Sequence, residues 1–310
     1  MGMGKMKKIK VCLVGIFYPC AMLRYFERAL ERRDDIELVT CGPFTGNYIP
    51  WNGGMNLLPK YFKSPTVPLP RELIQQGRVN PSLFKQFGVL EDVDLWIEVD
   101  AGFHLDPRPT TGIVAHVATD PHALSYDRQR QLADVFFNMQ SIYMKNGDVY
   151  LPYAYDPTVH YPMQSKLEFD VCMIGLHYEQ RTQLVNRLLN EKLRVHYSIG
   201  SVFDEYRELY NKSWIGINWS SKQDLNARVF ELAAMGVTAV QNTVPDMKTF
   251  FVPGDHYLEF STLDEAVKQV MRATIDHDMA IEMANAAMRK VEPHTYDARI
   301  QTILERVGLI

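Results

Sequence analysis

Arg228 and Glu231 stand three positions apart in "LNARVFELAAMGVTAVQN", residues 225 to 242, at the start of an otherwise apolar run. That spacing puts both side chains on one face of a helix. Asn226 reads as the N-cap of this helix and Gly236 as the left-handed residue that ends it. The pair therefore falls in the first two turns, beside the backbone N–H groups and the positive dipole end that hold phosphate. An arginine there adds a charge-assisted contact to the same anion, and a carboxylate one turn deeper accepts two hydrogen bonds from a vicinal diol. Phosphate plus ribose describes a nucleotide. The same spacing also describes an exposed i, i+3 ion pair contributing ~0.2–0.5 kcal/mol, and spacing alone leaves both readings open.

A second set of reactive side chains follows the apolar run "GIVAHVA": in "ATDPH", Asp120 and His122 fall at a strand end, where either can orient an acceptor hydroxyl or take its proton. The competing reading is turn chemistry, since an aspartate before a proline ends strands on its own account. His104 in "DAGFHL" is a rival for the same role. No metal site is expected. The "DVD" at residues 92 to 94 reads as turn residues, and Cys12, Cys20, Cys41 and Cys172 show no C-x-x-C spacing and no neighbouring histidine pair. They read as buried thiols.

The elements that must position these groups are short apolar strands alternating with helices. "IKVCLVGIF" is a strand, and Met22, Phe26, Ala29 and Leu30 then recur at helical spacing. "IELVTCG", "DLWIEVD", "GIVAHVA", "DVFFNM" and "DVYLPY" continue the series, interrupted by a Gly-, Pro- and aromatic-rich loop from Pro43 to Pro81 that carries Tyr48, Trp51, Tyr61 and Phe62. A loop of that length is a candidate functional excursion or a surface segment packed by its own aromatics. A second series begins at "VCMIG" and runs through "RTQLVNRLLNE", "RVHYSIG", "FDEYRELYNKS", "WIGINWS", the Arg228 helix, "VTAVQN", a helix over "VPDMKTFF", and "HYLEF". Thr262 and Glu265 then have capping-box spacing, and two further helices finish the chain. Buried strands alternating with helices imply parallel sheets.

The 310 residues suffice for two such domains. With 46% apolar and 23% charged residues the composition is that of a soluble globular protein. A formal charge of -4, with neither half strongly basic, argues against a nucleic-acid platform. No apolar run reaches the ~20 residues of a membrane span, and the opening "MGMGKMKKIKVCLVGIF" is too short in its apolar part for a signal peptide, so a cytoplasmic location is expected. The dinucleotide fingerprint G-x-G-x-x-G and the P-loop are both absent after the first strands.

"NARVFELAAMG" resembles the R-x-F-E-x-x-A-x-G signature of glycosyltransferases related to the spore-maturation protein CgeB, a branch near family 4 of the GT-B fold. "VCMIGLHYEQR", "GINWS", "FFVPGDHYLEF", the terminal "EPHTYDARIQTIL" and, in the first half, "ATDPH", "DVFFNMQ" and "LPYAYDPTVHYP" are similar to the corresponding segments of that family. The resemblance implies two Rossmann-like parallel-sheet domains facing across a cleft. Their limits would be an acceptor domain over 1–158, a nucleotide-sugar donor domain over 159–293, and a C-terminal helix, 294–310, returning to the first domain. It implies that Gly175 lets a loop approach a diphosphate, that Arg181 clamps phosphate, that His177 and Tyr178 contact phosphate or sugar, and that Asn218 and Asn226 join Arg228 and Glu231 as candidates for binding the donor nucleotide. His294, Thr295, Tyr296 and Arg299 would dock the last helix. Of the two glutamates eight positions apart in the broader family, Glu231 matches the second, while Gln223 stands at the first with Asp224 beside it.

The expected function is a retaining, metal-independent transfer of a sugar from a nucleotide-diphosphate sugar, a UDP-sugar being the commonest, to an acceptor hydroxyl. The acceptor is a glycan, a protein, a small molecule or, less in keeping with the charge, a modified DNA base. No cofactor is expected beyond the donor itself. The alternatives are a non-catalytic sugar-nucleotide binding protein and a sugar-nucleotide epimerase on the same fold.

Overall fold

In a parallel strand covered on both faces the side chains of both pleats are buried, so the sequence runs apolar without alternation. Such strands form the centres of two sheets in the computed structural model, which describes residues 7–50, 54–57, 62–87, 92–100 and 102–310. The chain divides into two units, Met1–Pro152 with Tyr296–Ile310, and Tyr153–Thr295.

The first unit begins with β1 (Ile9–Val14), whose last four residues are buried, and α1 (Leu23–Glu31), which buries Leu23, Phe26, Ala29 and Leu30. β2 (Ile36–Pro43) follows. The glycine- and proline-rich stretch is not wholly loop. It holds a short antiparallel hairpin of β3 (Tyr48–Ile49) and β4 (Met55–Asn56), then β5 (Val67–Leu69), which pairs parallel with β2 and extends the sheet. With only three residues, one of them Pro68, β5 carries too little pattern to be read in advance, and proline is tolerated because this is an edge strand. Phe62 packs inside and Tyr48 is exposed, while Trp51 and Tyr61 lie outside the described residues. α2 (Leu73–Gln76), β6 (Arg78–Val79), β7 (Leu95–Val99), β8 (His104–Leu105), β9 (Ile113–Ala118), α3 (Asp127–Leu132), β10 (Val135–Asn138) and β11 (Val149–Tyr150) complete the first pass. The sheet is parallel throughout, in the order β11-β10-β9-β7-β1-β2-β5. The "DVD" residues are structural: Asp92 turns the chain at φ 61°, and the Asp94 carboxylate accepts from the Lys10 backbone at 2.8 Å.

The second unit comprises β12 (Phe169–Ile174), α4 (Glu179–Asn190), β13 (Val195–Ser198), α5 (Phe203–Asn211), β14 (Ser213–Asn218), α6 (Ala227–Ala234), β15 (Thr238–Asn242), β16 (Leu258–Phe260), α7 (Leu263–Ile275) and α8 (His277–Val291). Its sheet is parallel in the order β13-β12-β14-β15-β16. Met173, Leu184, Ile217, Val240, Phe260 and Val270 lie in one buried cluster between sheet and helices. Thr262 and Glu265 form a complete capping box at the start of α7. The "VPDMKTFF" segment is a 3-10 helix of five residues, Pro245–Thr249, rather than an α-helix, because it is bounded by the starting proline and by the buried Phe250 and Phe251.

The last helix, α9 (Tyr296–Arg306), belongs to the first unit, where it packs on α1. The Tyr296 ring stacks on Tyr25 at 5.2 Å and meets Phe26 edge-on, Arg299 Nε donates to the Pro152 carbonyl at 2.7 Å, and Arg32 and Asp297 form a two-pronged pair. Tyr296 and Arg299 thus perform docking, whereas His294 and Thr295 lie in the second unit, His294 against the rings of Phe230 and Phe250. Three cysteines are buried, but Cys20 is exposed, contrary to its reading as a buried thiol, because it sits in the turn between β1 and α1. Among the described residues no helix is long and apolar enough to cross a membrane.

Tyr296→Ala removes a fully buried ring from the α1–α9 contact and is expected to destabilise the protein by about 3–5 kcal/mol, against about 1 kcal/mol for loss of the Thr262 cap in Thr262→Ala. Urea unfolding of the two variants checks the order; equal midpoints would contradict the docking role.

Candidate functional site

The second sheet ends its central strands in a cluster of polar residues. β12 leads into Gly175, β14 ends on Asn218, and α6 starts at Asn226 beside them. In open α/β sheets this carboxyl edge is where ligands sit. Gly175 has φ 149°, and a Cβ built on it would lie 3.0 Å from Arg181 Nη1 and 3.1 Å from Arg228 Nη2. Two guanidinium groups from different helices therefore converge on one glycine, where a Cβ would press on both and the backbone at φ 149° is one that glycine adopts freely.

The two arginines are held differently. Arg181, on α4, is buried and donates from Nε and Nη2 to the Trp219 carbonyl at 3.0 and 2.6 Å, and from Nη1 to the Leu176 carbonyl at 2.9 Å. Burial, reinforced by the Arg228 charge, pushes its pKa down to about 10, so it remains protonated at neutral pH. Its guanidinium also covers the Tyr178 ring at 4.9 Å. Arg228 donates from Nη1 to Asn218 Oδ1 at 3.1 Å, and its buried Nε has no acceptor among the described residues. Burial works against the Arg228 charge, but Tyr210, Tyr206 and Glu231 outweigh it and raise its pKa above the ordinary value. Asn218 is the hub of this arrangement: its Oδ1 also accepts from Asn226 Nδ2 at 3.1 Å, while its Nδ2 donates to Gln241 Oε1.

Asn226 occupies the N-cap position of α6 with extended backbone, yet its side chain does not cap; it turns to Asn218 instead. The first-turn N–H groups of α6 keep their dipole end uncovered by that side chain. Glu231 is buried at 7% exposure and is not ion-paired with Arg228: no bridge within 4 Å joins them among the described residues. Its Oε2 accepts from the Tyr206 hydroxyl at 2.6 Å, and its Oε1 lies 3.6 Å from His160 Nε2. Burial, and then the Glu231 charge, raise the Tyr206 pKa well above its usual value, which keeps the phenol protonated and donating. Tyr206 and His160 are neighbours of Glu231 that sequence reading missed. Neither has a spacing relation to Glu231, and only "LPYAYDPTVHYP" drew notice to the segment holding His160.

His177 and Tyr178 are both exposed, the His177 ring tilted against that of Tyr197 in β13 at 4.1 Å. The Tyr197 hydroxyl is buried without a hydrogen-bond partner among the described residues, which marks it as another group at this edge that the sequence did not single out. Gln223 is exposed with φ 56°, and the adjacent Asp224 accepts from the Ser220 hydroxyl at 2.6 Å.

In the first unit Asp120 and His122 follow β9. Asp120 is half-buried; its Oδ2 lies 3.5 Å from the Thr119 hydroxyl, which donates at 2.9 Å to Asp100. His122 is half-buried beside Tyr143, its Nδ1 without a hydrogen-bond partner among the described residues. His104 is buried, and desolvation lowers its pKa. A buried imidazole held neutral in this way suits a core position better than a reacting one. Among the described residues no group of three or more histidine, cysteine or acidic side chains is arranged to hold a metal ion.

Residues 161–305 match the glycosyl transferase-like family. That span contains Gly175, both arginines, Asn218, Tyr206 and Glu231. The chain has the GT-B fold. An α-glucosyltransferase solved with UDP and a 13-mer DNA containing a central A:G mismatch is similar at TM-score 0.66 and 12% identity, over 96% of this chain and 99% of that one. The Anabaena protein HepE in complex with UDP and glucose is similar at TM-score 0.62 and 10% identity, over 97% and 100%. A UDP-N-acetylglucosamine 2-epimerase is similar at TM-score 0.58 and 12% identity, over 98% of both chains. No curated protein matches the sequence.

Gly175→Ala forces a Cβ against both guanidinium groups and is expected to lower the melting temperature and to weaken binding of inorganic pyrophosphate at least about tenfold, equivalent to ~1.4 kcal/mol. Calorimetric titration of pyrophosphate checks this. Unchanged affinity would mean that the two arginines do not form an anion site.

Proposed function

We propose that the chain is a glycosyltransferase of the CgeB-like branch that moves a sugar from a UDP-sugar to an acceptor hydroxyl with retention of configuration and without a metal ion. The observation that carries this is the convergence of Arg181 and Arg228 on Gly175, one turn from a buried carboxylate, within a span that matches the glycosyl transferase-like family. Two adjacent cations repel each other, and a diphosphate between them removes that repulsion.

In the reaction the bond from the anomeric carbon to the diphosphate oxygen breaks, the acceptor oxygen forms the new bond and its proton leaves. Negative charge then grows on the departing diphosphate. Arg228, the remaining N–H donors of Arg181 and the first-turn N–H groups of α6 are placed to stabilise that charge, with no step requiring a metal. Glu231 accepts from the ribose diol with the lone pairs that Tyr206 does not use. On the acceptor side, Asp120 and His122 are the groups assigned to orient the hydroxyl and take its proton. Gly175 gives the diphosphate access to backbone, and His177, Tyr178, Asn218 and Asn226 border the same edge. Gln223 is exposed where the broader family carries an acid, so the choice of sugar rests on other contacts.

The epimerase reading draws on the same fold and is separated by chemistry: an epimerase converts its sugar nucleotide without an acceptor, a transferase releases UDP only as sugar is transferred or hydrolysed. The test of the site is a thermal-shift and calorimetric titration of UDP, GDP and TDP. A ligand at 100 times its Kd stabilises the native state by about 2.7 kcal/mol. UDP is expected to raise the melting temperature of the wild type, and Arg228→Ala and Glu231→Ala are each expected to weaken it at least about tenfold. If no diphosphate shifts the wild type at millimolar concentration, the nucleotide reading fails.

A further inference from the structure

Glu231 lies at 7% exposure, where the oxygens of a carboxylate must be met by hydrogen-bond donors. Tyr206 supplies one donor, to Oε2 at 2.6 Å. The other oxygen faces a histidine whose orientation is fixed by its own turn. In "DPTVH" the buried Asp156 accepts at Oδ1 from Thr158 N and Thr158 Oγ1 at 2.8 and 2.7 Å, and its carbonyl accepts from His160 N at 2.8 Å. Closing the loop, Asp156 N donates to His160 Nδ1 at 3.1 Å. With Nδ1 accepting from a backbone N–H, the ring proton must reside on Nε2, and Nε2 is the atom that faces Glu231 Oε1 at 3.6 Å.

That distance exceeds a hydrogen bond, and a closure of about 0.7 Å would make one. The turn is anchored on the helix that bears Tyr206. Arg207, the next residue of α5, donates from Nη1 to the Val159 carbonyl at 3.1 Å and lays its guanidinium over Tyr161 at 4.3 Å, while Asn211 accepts from Met163 N at 2.7 Å. The His160 and Tyr206 rings themselves meet edge to face at 5.9 Å. One helix therefore sets the surroundings of both oxygens of Glu231: Tyr206 donates to Oε2, and the turn that Arg207 holds faces His160 Nε2 to Oε1 at 3.6 Å.

We propose that His160 and Tyr206 are positioning residues for the Glu231 carboxylate and that, by fixing the direction of its two free lone pairs, they set a preference for ribose over 2′-deoxyribose in the bound nucleotide. The proposal rests on Glu231 receiving the ribose diol, as described under the proposed function. A freely rotating carboxylate accepts a single hydroxyl nearly as well as a pair; one held at Oε2 by Tyr206 and bounded at Oε1 by the His160 ring presents its remaining acceptors at fixed spacing, which suits a vicinal diol.

Calorimetric titration of UDP, 2′-deoxy-UDP and inorganic pyrophosphate into the wild type, His160→Gln, His160→Phe and Tyr206→Phe tests it. The wild type is expected to favour UDP over 2′-deoxy-UDP at least about tenfold, a difference of ~1.4 kcal/mol. His160→Phe and Tyr206→Phe are each expected to cut that preference at least about threefold, His160→Phe while binding pyrophosphate as the wild type does, and His160→Gln, whose side-chain N–H replaces the ring Nε2–H, is expected to retain it. Full preference retained in both phenylalanine variants overturns the proposal, as does a loss of pyrophosphate binding in His160→Phe, which would mark a general collapse of the unit. Equal binding of the two nucleotides by the wild type overturns it while leaving the UDP site standing. No UDP binding at all removes both readings.

Discussion

Two like charges brought to one glycine are the constraint around which the second unit is arranged. A guanidinium group is never readily discharged, so its repulsion from a neighbour must be absorbed by acceptors and anions nearby. Arg181 is steadied by the carbonyls of Leu176 and Trp219, and Arg228 by Asn218 and by the tyrosines and carboxylate deeper in the unit. The Asn218 amide orders both Arg228 and Asn226, so a single side chain at the end of β14 fixes a cation and the start of a helix. A side chain at Gly175 would press on both cations, and loss of the Asn218 acceptor would release Arg228.

The alternation of strands and helices was legible because buried parallel strands leave unbroken apolar runs and each intervening helix repeats its apolar residues every three or four positions. Thr262 with Glu265 and the left-handed Gly236 were legible for a local reason: caps act within one turn. The elements that escaped were short. β5 has three residues and the Pro245–Thr249 turn five, too few for a period to declare itself.

In the site the same division holds. Arg228 and Glu231 share a helix, and their common face follows from spacing. What holds each of them does not. Tyr206 comes from α5 and His160 from the segment before β12, and nothing in "DPTVH" or "FDEYRELYN" points at a glutamate on a third element. The expectation that Arg181 stands ready for phosphate met a similar limit. The carbonyls that accept its three hydrogen bonds come from irregular segments after β12 and β14, where backbone direction carries no sequence period. Asn226 was placed at a helix start by residue type, yet its side-chain oxygen does not cap; its Nδ2 donates to Asn218 Oδ1, a contact with another element that no local pattern announces.

The assignment of α9 to the first unit makes the second unit an insertion in the chain, bounded by Pro152 on one side and Tyr296 on the other. Its ends are joined: Tyr155 N donates to the His294 carbonyl at 3.1 Å, and Tyr155 bridges Thr295. For an unfolded loop of about 140 residues, bringing the ends together costs on the order of 4 kcal/mol in chain entropy, and a folded insertion has already met that cost. Seating the last helix on α1 is therefore a late, local event if the inserted unit folds first and a long-range search if it does not, which gives the order of folding a topological cause.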